Sequence, residues 1–561
     1  MRKQFLLLTL LLGSTTAWGH DVEVDGIYYN LHQQDTTACV TFKGDAPAAY
    51  RNEYTGEVVI PETVTVEGIP YIVTSVGDRC FCECNSLTSV SIPGTVKSLG
   101  YMCFAGCSGL VSVNLPESVT SLGDCCFEYC SSLTSVSIPG SVTRLGMYSF
   151  YGCKELTSVT IPNSVTFLGE NCFLGCTGLT SITIPNSVTV MEYNCFGDCT
   201  GLTSFTIPHS VTNVGDRCFW GCTGLTSITI PNSVTSVGAT CFSYCSNLKN
   251  ITVEEGNPVY DSRDNCNAVI CTAENRMIAA CPSTIIPNSV TSLGYGCFLG
   301  RDGLASVTIP GSVTSLGDEC FYVCSNLTSV TLPKSLTTMG RHCFAYCKGL
   351  TSVILPESVK TMGRSCFEGC KGLTSINLPK SLTSMEDYSF KDCSSLSSIV
   401  IPDSVTSLGV FCFAYCSGLT SATLPETLTS LGMACFAFTG LTSVSLPGSV
   451  TSLGDYCFAY CTSLSSIIVP YSVTTVGTDC FSEADYTIYC YPKHYDSLKE
   501  VYGERVVLYD DPTAIGNVAA EADSPAVEGC YDLSGRRLSG WQRGLQIIRY
   551  SDGTSRKVMV N

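Results

Sequence analysis

The residues with reactive side chains set the first question. The chain carries 37 cysteines. Fifteen stand directly before a phenylalanine and fourteen stand four residues further on, as in Cys172, Phe173 and Cys176. Cysteines at such density point to disulfides in an exported chain, to metal ligation, or to packing. Ser149 and Ser389 replace the first cysteine of their units while Cys153 and Cys393 remain, and Cys435 has no later companion. Pairing within a unit is therefore not obligatory, and the total is odd. The slot asks for a small side chain, so the favoured reading is a ladder of buried thiols acting as small hydrophobes. Disulfides are the second reading, above all among Cys80, Cys82 and Cys84. A soft-metal site is the third, against which stands a C-x-x-x-C spacing unlike the usual zinc knuckle.

The other reactive residues are sparser. His20, His32, His209, His342 and His494 have no Cys or Asp at the spacing of a triad or a zinc site. His209 stands where other units have Asn, Gly or Glu after a proline, as an exposed turn residue would. Asp78, Asp124 and Asp216 recur after a bend glycine and are expected to cap the following turn. Asp261 to Asn265, DSRDN, offers oxygens to calcium but lacks the ordered spacing of a calcium loop, so a hydrogen-bonded turn is expected. A two-carboxylate glycosidase needs two unlike environments, and near-copies do not supply them. No catalytic residue, metal site or cofactor is expected, and the chain does not read as an enzyme. A hydrolase with its residues scattered among loops ranks third among the functional readings.

These residues are positioned by a repeat. Pro93, Pro116, Pro139, Pro162, Pro185, Pro208 and Pro231 are 23 residues apart, and the period resumes from Pro287 to Pro425. Sixteen copies of a strand phrase run from Leu87 to Val469. In one unit Leu156, Val159 and Ile161 alternate with Ser158 and Thr160, which predicts a short strand with one buried face. Pro162 ends it. Gly169 marks a bend, but Glu192 and Glu386 fill the same place elsewhere, so a positive φ is not expected there. The Cys172 to Cys176 spacing predicts a single helical or 3-10 turn. One unit cannot bury its own apolar face, but stacked units can. Phe104, Phe127, Phe150, Phe173, Phe196 and Phe219 should then form one continuous spine. With parallel strands ~4.8 Å apart, eighteen or so coils would span roughly 85 Å.

The phrase L-x-x-V-x-I-P-x-S-V-x-x-L-G-x-x-x-F-x-x-C resembles the 23-residue bacterial leucine-rich repeat of the BspA-like surface proteins. The resemblance implies an α/β repeat fold, a right-handed solenoid with parallel strands and short helical or 3-10 turns, capped at both ends. Residues 71–485 would be the solenoid. The segment from Asn257 is similar to a hairpin insertion of that family, placed at 257–286. Residues 20–70, with VEVDGIYYNL, resemble its N-terminal β cap.

The ends carry further signals. Arg2 and Lys3, the apolar run Phe5 to Leu12, and Ala17 and Gly19 predict a signal peptide over 1–19, with cleavage after Ala17 as the alternative. A buried N-terminal element is the competing reading. No later stretch is long and apolar enough to cross a membrane as a helix. Residues 486–511 read as a C-terminal cap of strand, helix and strand. Residues 512–528 are small, acidic and Ala-rich, as a linker is. In 529–561, Gly544 to Tyr550 and Arg556 to Val560 alternate as two strands around S-D-G. This tail resembles the C-terminal sorting segments of type IX secretion cargo, with an ordinary small β-module as the alternative.

What remains is surface. The formal charge of −18 repels phosphate backbones and anionic lipid, which argues against nucleic acid as a partner. Ser158, Thr160, Ser181, Thr183, Ser204, Thr206, Ser227 and Thr229 should stack into an uncharged, hydroxyl-rich face. That face is the candidate ligand-binding site, although Ser and Thr also simply suit solvated strands. The expected function is that of a monomeric binding protein, secreted or held on the outer cell surface. The family resemblance implies an adhesin-like role toward host or neighbouring-cell proteins. The alternative is a glycan-binding accessory protein.

Overall fold

The computed structural model describes residues 19–43 and 52–509, and the strands Val527–Tyr531, Gly544–Tyr550 and Ser555–Val560. The repeat winds as a parallel-strand solenoid of about eighteen turns. The coils build two parallel ladders, the first of them with gaps. The first uses the expected phrase: Ser135–Ser137 pairs in parallel with Ser158–Thr160, one coil later. The second was not foreseen. Arg144–Leu145, Phe167–Leu168, Val190–Met191, Asn213–Val214 and Ser236–Val237 pair in parallel, each 23 residues after the last. Its strands are two residues long, too short to show a period in the sequence.

The third side of each coil departs from the expected helical or 3-10 turn. The N–H groups of Cys172, Leu174 and Cys176 donate within the coil, to the carbonyls of Gly169, Asn171 and Phe173. Those of Asn171, Phe173 and Gly175 donate instead to the next coil, to the carbonyls of Tyr193, Cys195 and Gly197, at 2.8–2.9 Å. A helix would direct every N–H along its own axis. Left-handed residues at Asn171 (φ 54°) and Gly175 (φ 72°) break that continuity and leave alternate N–H groups for the neighbour. These segments are hydrogen-bonded turns, not helices. Positive φ therefore falls two and six residues after Gly169, and not at Gly169 itself. A Cβ at Gly169 would lie 2.6 Å from the carbonyl carbon of Gly146. Close coil-to-coil approach, and not φ, explains that glycine.

The six phenylalanines named above stack as expected, and the column extends from Phe81 to Phe242 with ring centroids 5.0–5.7 Å apart. A second column runs from Phe298 to Phe481 at 4.9–6.3 Å. Every ring in both is buried. Each contributes roughly 1.5–3 kcal/mol by burial.

The break between the columns is the insertion. Tyr260–Asp261, Ala268–Cys271 and Arg276–Ala280 form an antiparallel meander. Its last strand joins the second ladder in parallel beside Ser292–Leu293. The hydrophobic core is accordingly divided into two clusters that meet at this segment. Arg301 occupies the later-cysteine slot of the next coil and is only 1% exposed. Its Nε donates to the Ala280 carbonyl at 2.8 Å and its Nη1 to the Phe242 carbonyl at 2.5 Å. One guanidinium thus ties the coil before the insertion, the hairpin, and the coil after it.

At the start of the chain Val22–Val24, Ile27–His32 and Thr37–Thr41 are antiparallel, and Thr37–Thr41 then pairs in parallel with Ile69–Val76. At the far end Ser466–Val469, Thr487–Cys490 and Val506–Leu508 are parallel, with the helix Pro492–Tyr502 between the last two. In the tail, Val527–Tyr531, Gly544–Tyr550 and Ser555–Val560 form an antiparallel sheet. The S-D-G turn, most of the 512–528 linker and the signal peptide apart from Gly19 lie outside the described residues. Among the described residues no helix is long and apolar enough to cross a membrane.

Candidate binding surface

The candidate face is built from the outward positions of the first ladder. All eight candidate residues are exposed. Ser158 and Thr160 lie in register with Ser135 and Ser137 of the coil before. Ser227 and Thr229 lie in register with Asn250 and Thr252, and the Thr229 and Thr252 hydroxyls stand 3.1 Å apart. Ser181, Thr183, Ser204 and Thr206 sit in coils whose phrase is not part of a hydrogen-bonded strand. The expected unbroken sheet face is instead a series of short sheets of two or three strands. The second ladder holds the coils more continuously, in parallel runs of up to five strands.

The polar residues of the phrase have a second task that the sequence did not reveal. They bond coil to coil. Ser164 Oγ donates to the Val142 carbonyl at 2.6 Å, and Ser187 Oγ to that of Val165 at 2.5 Å. Thr157 Oγ1 donates to the Thr134 carbonyl. Asp78, Asp124 and Asp216 do cap turns, but those of the following coil: their Oδ1 atoms accept from the N–H groups of Tyr101, Met147 and Ala239 at 2.7–3.0 Å. The common signal was a separation of one period, visible only once the coils are stacked.

The cysteines divide by column. Among the described residues, nearly all of both columns are buried. In the later column each thiol from Cys107 onward donates to the phenylalanine carbonyl of the coil before, Cys176 to Phe150 and Cys199 to Phe173, both at 3.1 Å. Thr439 fills that slot in its own coil and donates to the Phe436 carbonyl at 2.8 Å. In the earlier column Ser149 and Ser389 donate within their own turns, to the carbonyls of Gly146 and Glu386. Burial raises the thiol pKa at most of these positions, to about 11 at Cys84 and Cys245 and further at Cys176. Such thiols are poor nucleophiles and poor ligands at neutral pH.

The remaining reactive residues scatter. His209 is exposed and pairs with Glu254 at 3.0 Å. His494 is buried on the terminal helix, and burial lowers its pKa. Asp261 accepts from Arg263 Nε at 2.7 Å and from Thr272 Oγ1 at 2.8 Å. Burial opposes its ionisation, but these hydrogen bonds outweigh that and hold its carboxyl below the usual value. The DSRDN segment is the hydrogen-bonded turn expected of it. No group of three or more His, Cys, Asp or Glu among the described residues is placed to hold a metal ion.

Sequence reasoning passed over a polar cleft on the turn segments of the coils between Tyr295 and Tyr388. A signal was present. Residues 334–391 carry eight Lys and Arg against four Asp and Glu, while the rest of the chain has twice as many acids as bases.

The model of the BspA-type leucine-rich repeat region matches residues 63–180, 168–266, 278–397 and 383–501. Among solved structures, a leucine-rich repeat protein from Bacteroides ovatus is 23% identical, covers 87% of this chain and 99% of its own, and superposes with a TM-score of 0.40. A leucine-rich cell surface protein from Faecalibacterium prausnitzii is 26% identical over 81% of this chain and 95% of its own, with a TM-score of 0.41. A leucine-rich repeat protein from Eubacterium ventriosum is 20% identical over 79% and 94%, with a TM-score of 0.43. No curated protein matches the sequence. The repeat phrase, the stacked parallel coils and the extent of the family match lead to one conclusion: the chain belongs to the BspA-type leucine-rich repeat family.

Proposed function

We propose that this is a non-enzymatic binding protein, exported and displayed or released outside the cell, whose strand face recognises proteins of a host or of neighbouring cells. The observation that carries the reading is the eight exposed hydroxyl positions repeated at one-coil spacing on a rigid stack. Such a surface makes many weak, similar contacts, and its affinity grows with the number of coils engaged. The raised thiol pKa values and the scattered histidines support a role without covalent chemistry. The tail sheet serves in this reading as an address for secretion or surface attachment.

The test is an array of extracellular-matrix and cell-surface proteins probed with the chain from His20 to Asp511. With one ligand in hand, Thr183→Lys and Thr206→Lys together should weaken binding modestly, and removal of several coils steeply. If deletion of the 257–286 hairpin alone abolishes binding while the solenoid stays folded, the site is the insertion and not the strand face. Binding that survives loss of the whole repeat array sinks both versions.

A further inference from the structure

The bend glycines Gly294, Gly317, Gly340 and Gly363 are each followed by a residue that faces the cleft on the turn segments: Tyr295, Asp318, Arg341 and Arg364. The cleft has a volume of about 500 Å³. That lies within the roughly 300–1,000 Å³ of ordinary ligand clefts. Each of its carboxylates already has a partner. Asp318 accepts from the Arg341 N–H at 2.7 Å and from its Nε at 3.2 Å. Glu319 accepts from the Tyr295 hydroxyl at 3.1 Å. Glu368, largely buried, pairs with Lys391 at 3.1 Å and accepts from the Tyr346 hydroxyl.

One cation is left over. The Arg364 guanidinium lies over the Tyr388 ring, 4.7 Å from its centroid, and no carboxylate among the described residues pairs with it. Contact with the ring restrains the guanidinium and leaves N–H groups for a ligand. Beside it, the Nδ1 of His342 is buried and has no hydrogen-bond partner. A restrained guanidinium and a histidine with an unsatisfied ring nitrogen therefore line one cleft, in a stretch, 334–391, with eight Lys and Arg against four Asp and Glu.

We propose that this cleft binds a carboxylated sugar, with its carboxylate on Arg364 and its ring hydroxyls on the groups around it. The free guanidinium favours an anion, because it matches a carboxylate in two parallel hydrogen bonds. The sugar is favoured over an acidic peptide by the mixture of groups. Asp318 and Glu319 have acceptor capacity left that hydroxyls can use, whereas additional carboxylates would be repelled by it. The site is independent of the strand face, so the two readings stand or fall separately.

The experiment is calorimetric titration of the full chain with trigalacturonate and with sialyllactose. Their neutral counterparts, the methyl-esterified trimer and lactose, and an oligoglutamate are titrated alongside. Saturable binding of a carboxylated sugar is expected, weakened about tenfold or more in its neutral counterpart and in Arg364→Gln. Arg341→Gln should weaken it as well, while Lys154→Gln and the paired strand-face changes Thr183→Lys and Thr206→Lys should leave it unaltered. Because Arg364 and Arg341 are exposed, both variants should keep the parent melting temperature, which is measured on the same samples. The proposal is overturned if neither carboxylated sugar binds, if the neutral sugars bind as well, if both arginine variants bind as the parent does, or if oligoglutamate binds more tightly than either sugar.

Discussion

Replacing Arg301 by Met should uncouple the two halves of the solenoid. Methionine fills much of the same space but donates nothing. The Ala280 carbonyl would lose the bond from Nε at 2.8 Å. The Phe242 carbonyl would keep only its bond from the Cys245 N–H at 3.3 Å. The Cys245 carbonyl would lose a weaker contact at 3.4 Å and keep its bond from the Leu248 N–H. One orphaned buried carbonyl costs about 1–3 kcal/mol, and one weakened charge-assisted bond adds about 1 kcal/mol. Relief of guanidinium desolvation offsets part of this. The expected net loss is therefore about 1–3 kcal/mol. In a solenoid, stability is close to a sum over coils and coil-to-coil interfaces, so the loss should stay at one interface. Hydrogen exchange resolves it. The amides of Ala280 and Tyr244, which donate across the junction to Cys297 and Leu299, should lose protection by roughly 5- to 140-fold. The amides of Phe127 and Phe173, deep in the first half, should change by less than about threefold. Junction amides that exchange as in the parent would refute the reasoning, as would uniform loss along the chain.

Further outcomes follow from the cysteine columns. Cys176→Ala should cost about 1–2 kcal/mol, and Cys176→Ser less, because only serine can still donate to the Phe150 carbonyl; urea midpoints decide it, and a serine variant worse than alanine would contradict the assignment. Most thiols of the two columns should resist alkylation in the native protein and react fully in denaturant without reductant, whereas mass mapping that finds more than half of them in disulfides would end the thiol-ladder reading. Stability should also fall on the alkaline side. Burial holds the folded pKa of Cys84 and Cys245 at about 11, against an ordinary thiol value of 9.0. A raised folded pKa leaves stability whole below the unfolded value and removes it as pH rises, because the unfolded chain releases its protons first. The melting temperature should therefore be steady up to about pH 9 and drop steeply between about pH 9 and 11; a flat profile across that window would be incompatible with buried thiols.

Much of this protein was legible in one dimension. The 23-residue spacing of the prolines, the alternation around Val159 and the recurrence of phenylalanine specify a stack of near-identical coils with an aromatic spine. Period-2 alternation and a fixed repeat length are properties of the chain itself, and burial of a shared apolar face leaves few other solutions. Single positions were legible too. Ser149 and Ser389 reported a small buried slot, and Glu192 and Glu386 reported that Gly169 needs no positive φ. What stacking alone decided is everything that depends on which residues meet one coil away. The two-residue second ladder leaves no periodic mark. The left-handed positions are filled by Asn171, Tyr129 and His342 as readily as by glycine, so composition does not mark them. The interrupted first ladder, the bonds from Asp124 to Met147 and from Cys176 to Phe150, and the reach of Arg301 across the insertion all join residues at least 22 apart in sequence. The cleft of Arg341, Arg364 and Tyr388 is of the same kind. Each residue is unremarkable in its own unit, and only the rise of one coil per 23 residues brings the two charges and the ring into one place, because side chains recognise neighbours in space and not along the chain.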